Sequence, residues 1–128
     1  MAIRAVVVEE DPFLLEAVCD FLEGCGVDVV VRAPNSSAAI RAIAFSHPDV
    51  VLLGSGAADG CGPDPEQTIT DSFPGVAVVA LAVPGHGAPR MGGAANGAKP
   101  IHLDGDPKEL IQAVRRVGAK AQYRLTWS

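Results

Sequence analysis

The sequence is short of aromatics, of paired cysteines and of long apolar runs. Aromatic residues make up 5% of the chain. Its apolar mass is therefore Val, Leu, Ile and Ala, which fits a packed strand-and-helix core and not a disordered segment. The three cysteines, Cys19, Cys25 and Cys61, are odd in number and show no CxxC spacing. That argues against a disulfide framework and against a zinc site. No run approaches the ~20 apolar residues of a membrane span. The opening "MAIRAVVVEED" meets acids early and shows no small-residue cleavage site, so no secretory leader is expected. A cytoplasmic protein without membrane association is the expectation. A net charge of −5 removes any general attraction to nucleic acid. A length of 128 residues suits one domain with its own core.

What is present alternates. "IRAVVV", Ile3 to Val8, reads as a buried strand. A helix follows in "DPFLLEAVCDFLEGCG". Asp11 can cap it, Pro12 suits its first position, and Gly24 or Gly26 can stop it. Phe13, Leu14, Ala17, Val18, Phe21, Leu22 and Cys25 form its expected inward stripe, with Glu16, Asp20 and Glu23 opposite. "VDVVVRA" is a second strand. "PNSSAAIRAIAFSHP" is a second helix capped by Asn35 or Ser36, with Ala39, Ile40, Ile43 and Ala44 inward and Pro48 as its stop.

"DVVLL" is apolar throughout and predicts a central third strand, followed by the glycine-rich loop "GSGAADGCGPDP". "EQTITDSF" predicts a short helix, and Gly75 to Val83 a fourth strand. The segment from Pro84 to Gly97 is rich in glycine and proline, so any helix there, over Pro89 to Asn96, is short. "KPIHL" predicts a brief fifth strand. Asp106 and Pro107 open a final helix with Leu110, Ile111, Val114 and Val117 inward. Five β-α units predict a parallel sheet with helices on both faces. The expected division is one domain over residues 1–119 and a tail or linker over 120–128.

In such a sheet, ligands gather at the carboxyl ends of the strands. Those ends carry Glu9-Glu10-Asp11, Gly54, Ala82 and Asp104. Along nearly its whole length the chain resembles the receiver domain of two-component response regulators. "VVVEEDPFLLEAVCDFLE" is similar to the acidic first-strand end and first helix. "SHPDVVLLG" is similar to the strand that ends in the phospho-accepting aspartate. "GVAVVALAV" is similar to the strand that ends in a Thr or Ser switch residue. "NGAKPIHLDGDPKELIQAVRRV" is similar to the Gly-Ala turn, the lysine-ended strand and the last helix.

The resemblance implies an α/β, flavodoxin-like (βα)5 doubly wound fold with strand order 2-1-3-4-5. It also implies a degenerate phosphorylation pocket of Glu9, Glu10, Gly54, Ala82 and Asp104. Glu9 and Glu10 hold the places of metal-binding acids, and Gly54 that of the aspartate. Ala82 holds the hydroxyl's place and Asp104 the lysine's; Lys99 precedes the strand. Glycine offers no nucleophile, so neither phosphotransfer at this site nor firm Mg²⁺ binding is expected. No catalytic residue, cofactor or metal site is assigned.

Plainer readings stand beside these. The three acids also read as relics plus a helix cap, and His47, His86 and His102 as surface or core residues. "GSGAADG" has the wrong spacing and place for a dinucleotide loop. No base is visible to activate Ser55, which with Asp59 flanks the lost site. A flavodoxin-like enzyme is therefore disfavoured.

The charge split offers more. Glu16, Asp20 and Glu23 on the first helix and Lys108, Arg115 and Arg116 on the last form a candidate dimer surface, paired acid to base across a two-fold axis. The alternative is a solvated face paired within the molecule. The tail "AKAQYRLTWS" is similar to the segment leading into the helix-turn-helix domain of NarL-type regulators. Together these imply a phosphorylation-independent receiver-like domain that associates with itself or another response regulator and reaches DNA only through a domain this chain lacks. The alternative is a pseudo-receiver that senses a small metabolite in the emptied pocket.

Overall fold

The structure is a computed structural model and describes residues 2–54, 65–82, 101–102 and 107–127. The elements are β1 (Arg4–Val8), α1 (Pro12–Gly24), β2 (Asp28–Ala33), α2 (Ser36–Ser46), β3 (Val50–Gly54), α3 (Pro65–Ser72), β4 (Ala77–Ala82), β5 (Ile101–His102) and α4 (Pro107–Trp127). All strand pairs are parallel, and the order across the sheet is β2-β1-β3-β4-β5. This is the expected doubly wound fold. The helix expected over Pro89 to Asn96, the loop after β3 and Asp104 lie outside the described residues.

The all-apolar strands follow from cover on both faces. Ala5 and Val7 of β1, Val50 and Leu52 of β3, and Val79 and Leu81 of β4 turn to one side. There they pack with Val18, Cys19 and Leu22 of α1 and Leu110, Ile111 and Val114 of α4. Val6, Val8, Val51, Leu53 and Val78 turn to the other, against Ala39 and Ile43 of α2 and Ile69 of α3. β3 is buried along its full length, as a central strand requires.

Capping chemistry sets the helix ends. Asp11 is the N-cap of α1, with Pro12 first in the helix. At the other end Gly26 has φ 88° and donates its N–H to the Glu23 carbonyl, while the Val27 N–H reaches the Leu22 carbonyl. This is a Schellman stop, closed by Leu22 and Val27 in the same core cluster. Asn35 caps α2 through a bond from the Ala38 N–H at 2.9 Å. That helix ends on His47, a left-handed residue with φ 49°, just before Pro48. His47 therefore has a local structural role that its side-chain chemistry does not announce.

Three inward assignments are corrected. Phe13 is 83% exposed, and Ala17 and Ala44 are exposed. The buried stripe of α1 centres on Val18, Cys19 and Leu22, and at 100° per residue Phe13 falls on the far side. On α2 the contact runs through Ala39 and Ile43, and Ala44 lies round the edge from it.

α4 runs on to Trp127, through most of the stretch set apart as a tail. "AKAQYRLT" contains no proline or glycine, and Ala, Lys, Gln, Arg and Leu favour the helix. One residue of α4 was not anticipated: Gly118 is buried, and a β-carbon there would lie 2.7 Å from Ile3 Cγ2.

Two outcomes follow from this packing. Leu22 is fully buried, so Leu22→Ala should cost about 2–5 kcal/mol in a urea melt. Burial also pushes the Cys19 thiol up, with Arg32 pulling the other way. Cys19 should stay unmodified by a disulfide reagent in the native protein and react once it is unfolded, as read by mass spectrometry.

Candidate functional site

The site is built at the carboxyl ends of β1 and β3. Val8 and Leu53 are ladder partners, so the next residues, Glu9 and Gly54, emerge side by side. The Glu9 N–H donates to the Ala33 carbonyl at 3.0 Å, which carries the β1–β2 pairing one step past the strand. Its backbone is therefore fixed where the side chain leaves the sheet.

The acids of the β1–α1 turn have separate tasks. Asp11 Oδ1 accepts from the Phe13 N–H at 2.9 Å and the Leu14 N–H at 3.4 Å, which satisfies two amides of the first helical turn. The Asp11 N–H in turn donates to Glu9 Oε2 at 2.9 Å. Glu10 is exposed. Two of the three carboxylates thus shape the turn itself.

Glu9 is 1% exposed. While Oε2 is held by Asp11, Oε1 is buried with no hydrogen-bond partner among the described residues. A buried acceptor left this way costs about 1–3 kcal/mol of desolvation. Oε1 points at Gly54: a β-carbon built on Gly54 would overlap it and would lie 3.1 Å from Glu9 Cδ and 3.1 Å from the Val8 carbonyl oxygen. The carboxylate of Glu9 occupies the space where a side chain at position 54 would begin.

Ala82 ends β4 opposite His102 of β5, one step beyond the Gly54–Leu81 pair. Asp104 lies outside the described residues. The structure thus brings Glu9 and Gly54 together and puts Ala82 along the same sheet edge. Among the described residues no group of three or more His, Cys, Asp or Glu side chains could hold a metal ion.

Asp49, which the sequence reading gave no part, is a second buried acid at the opposite end of the sheet. Its Oδ2 accepts from the Arg4 N–H at 2.9 Å, while Arg4 Nη2 reaches the Ser46 carbonyl at 2.6 Å. These bonds tie the entries of β1 and β3. Its place just before an all-apolar strand was the available signal.

The second candidate surface lies on α1 and α4, which share one face of the sheet. Glu16, Asp20, Glu23, Lys108, Arg115 and Arg116 are all exposed. Several of them, Lys108 included, have contacts within the molecule. Glu23 Oε1 pairs with Arg32 Nη2 at 3.0 Å, and Arg115 Nη2 donates to the Cys25 carbonyl at 3.1 Å. An exposed pair such as Glu23–Arg32 contributes ~0–1 kcal/mol.

No family model matches the chain, and no curated protein does. Solved structures do. A response regulator receiver domain protein from Clostridium thermocellum superposes with TM-score 0.78 at 19% identity, over 94% of this chain and 98% of that one. The signal receiver domain of an HD domain-containing protein from Pseudomonas fluorescens Pf-5 gives 0.79 at 15%, over 96% and 99%. NtrX from Brucella abortus gives 0.78 at 20%, over 98% of this chain and 29% of the NtrX chain. The chain therefore has the fold of response regulator receiver domains.

Replacing the cap should show how much the turn matters. Asp11→Ala should lower stability by about 0.5–2 kcal/mol in chemical denaturation, with α1 fraying first in amide exchange.

Proposed function

We propose that this chain is a phosphorylation-independent receiver-like domain of an atypical response regulator, working in the cytoplasm through protein–protein association. One observation carries the reading. At the end of β3, where a receiver presents its aspartate, the chain has a glycine, and the carboxylate of Glu9 lies in the space a side chain there would need. A glycine cannot attack a phosphoryl donor, and among the described residues no group of three or more His, Cys, Asp or Glu side chains gathers for the ion that would accompany one.

What remains of the fold is a scaffold whose α1 and α4, on one face, carry exposed side chains of opposite charge. The partner is a second copy of this chain or another response regulator, with Glu16 and Asp20 of one molecule facing Arg116 and Lys108 of the other. Such pairs set register and encounter more than they hold the complex together. A role in transcription fits the likeness of "AKAQYRLTWS" to the NarL-type junction, and DNA contact then belongs to a domain outside this chain.

A second reading is favoured by one feature, the buried Glu9 Oε1 without a partner among the described residues. It is a pseudo-receiver that senses a small metabolite at this edge. A saturable rise in melting temperature with a metabolite would move the assignment to this reading.

Two experiments test the first reading. After incubation with acetyl phosphate and Mg²⁺, intact-mass spectrometry should show no added phosphoryl group; an acyl-phosphate on this domain would be the contrary result. In sedimentation over a range of concentrations the chain should associate reversibly. Glu16→Lys with Asp20→Lys should weaken that association about tenfold, and Arg116→Glu with Lys108→Glu should recover part of it. Sedimentation as a monomer throughout removes self-association, and a pull-down with a second response regulator then tests the other arm.

A further inference from the structure

We propose that Glu9 and Gly54 are a matched pair: the glutamate carboxylate at the end of β1 fills the volume that a side chain at the end of β3 would use, and position 54 is a glycine on that account. The inference takes from the reading above only the identity of position 54 with the lost nucleophile.

Among the described residues the backbone gives no other reason for the glycine. Among the described residues only Gly26 and His47 have positive φ, so position 54 lies in a conformation any residue adopts. Glycine inside a strand is unfavourable, because it gives up more chain entropy and packs nothing. Gly54 nevertheless sits in the central strand, paired with Leu81 and buried. Space is what constrains it. The obstructing atom, Glu9 Oε1, ends a flexible side chain, so relief by movement must be considered. Movement is opposed on three counts. Oε2 holds the Asp11 N–H, the Glu9 backbone is bonded to Ala33, and the residue is 1% exposed.

The choice of glutamate matters as well. Its extra methylene lets a carboxylate rooted on β1 reach across to β3. The buried carboxylate beside position 54 thus comes from the end of β1. Restoring an aspartate at position 54 alone would force two carboxylates into one volume, with like charges in contact. The lost nucleophile is thus closed off by steric exclusion as well as by its own absence.

A thermal-melt double-mutant cycle tests the pair. Gly54→Ala should lower the melting temperature by several degrees in the native background. In Glu9→Ala protein the same change should cost far less, with the Val8 carbonyl as the remaining obstacle. Equal losses in both backgrounds overturn the pairing. A charge-conserving swap gives a second reading: Glu9→Ala with Gly54→Asp should melt above Gly54→Asp alone, and a swap no better than the single variant overturns the proposal. If a single variant does not fold, recovery of folded protein in the double variant is the expected result, and failure of both is the contrary one. No arm measures phosphate, so failure here leaves the functional reading to its own experiments.

Discussion

The carboxylate of Glu9 lies in the space where a side chain on Gly54 would begin, and the character of the sheet's carboxyl edge follows from that placement. It rests on adjacency built several steps earlier. β1 and β3 are neighbours because both are apolar on both faces and only the middle of a covered sheet accommodates such strands. Their register places Val8 beside Leu53, so Glu9 and Gly54 leave the sheet together. The turn into α1 then fixes the carboxylate through the Asp11 amide. Local capping and long-range pairing thus meet on one side chain.

Around that edge the molecule spends its polar groups on structure. Asp11 caps α1, Asp49 ties the opposite ends of β1 and β3, and Asn35 caps α2. Exposed charges of opposite sign lie on α1 and α4, among others on the surface. The proposed role in association draws on this use of buried acids in turns and of exposed charges on α1 and α4.

Much of the architecture was legible in the sequence because it depends on local chemistry. Uninterrupted Val and Leu marked β1 and β3. Asp-Pro marked the start of α1, and Gly24 or Gly26 its stop. The glycine that ends β3 was likewise plain from "DVVLLG". What could not be read is what depends on three dimensions. The inward stripe of α1 was drawn too wide, since periodicity does not say where on the circle the sheet will sit, and Phe13 proved exposed. His47 in a left-handed turn, Gly118 against Ile3 and Asp49 under Arg4 each arise from contacts distant in sequence or from backbone geometry. The same holds for Glu9. As a sequence position it looked like a remnant acid, and only the fold shows its carboxylate in the space above Gly54.

The most direct measurement of whether phosphate chemistry has been given up is a two-dimensional amide NMR titration with Mg²⁺ and beryllofluoride, a stable mimic of the phosphoryl group. The amides of Val8 to Asp11 and of Gly54 should keep their positions throughout. Saturable shifts at those amides would contradict the claim, because they would mean that this edge of the sheet still binds the ion and the phosphoryl mimic together.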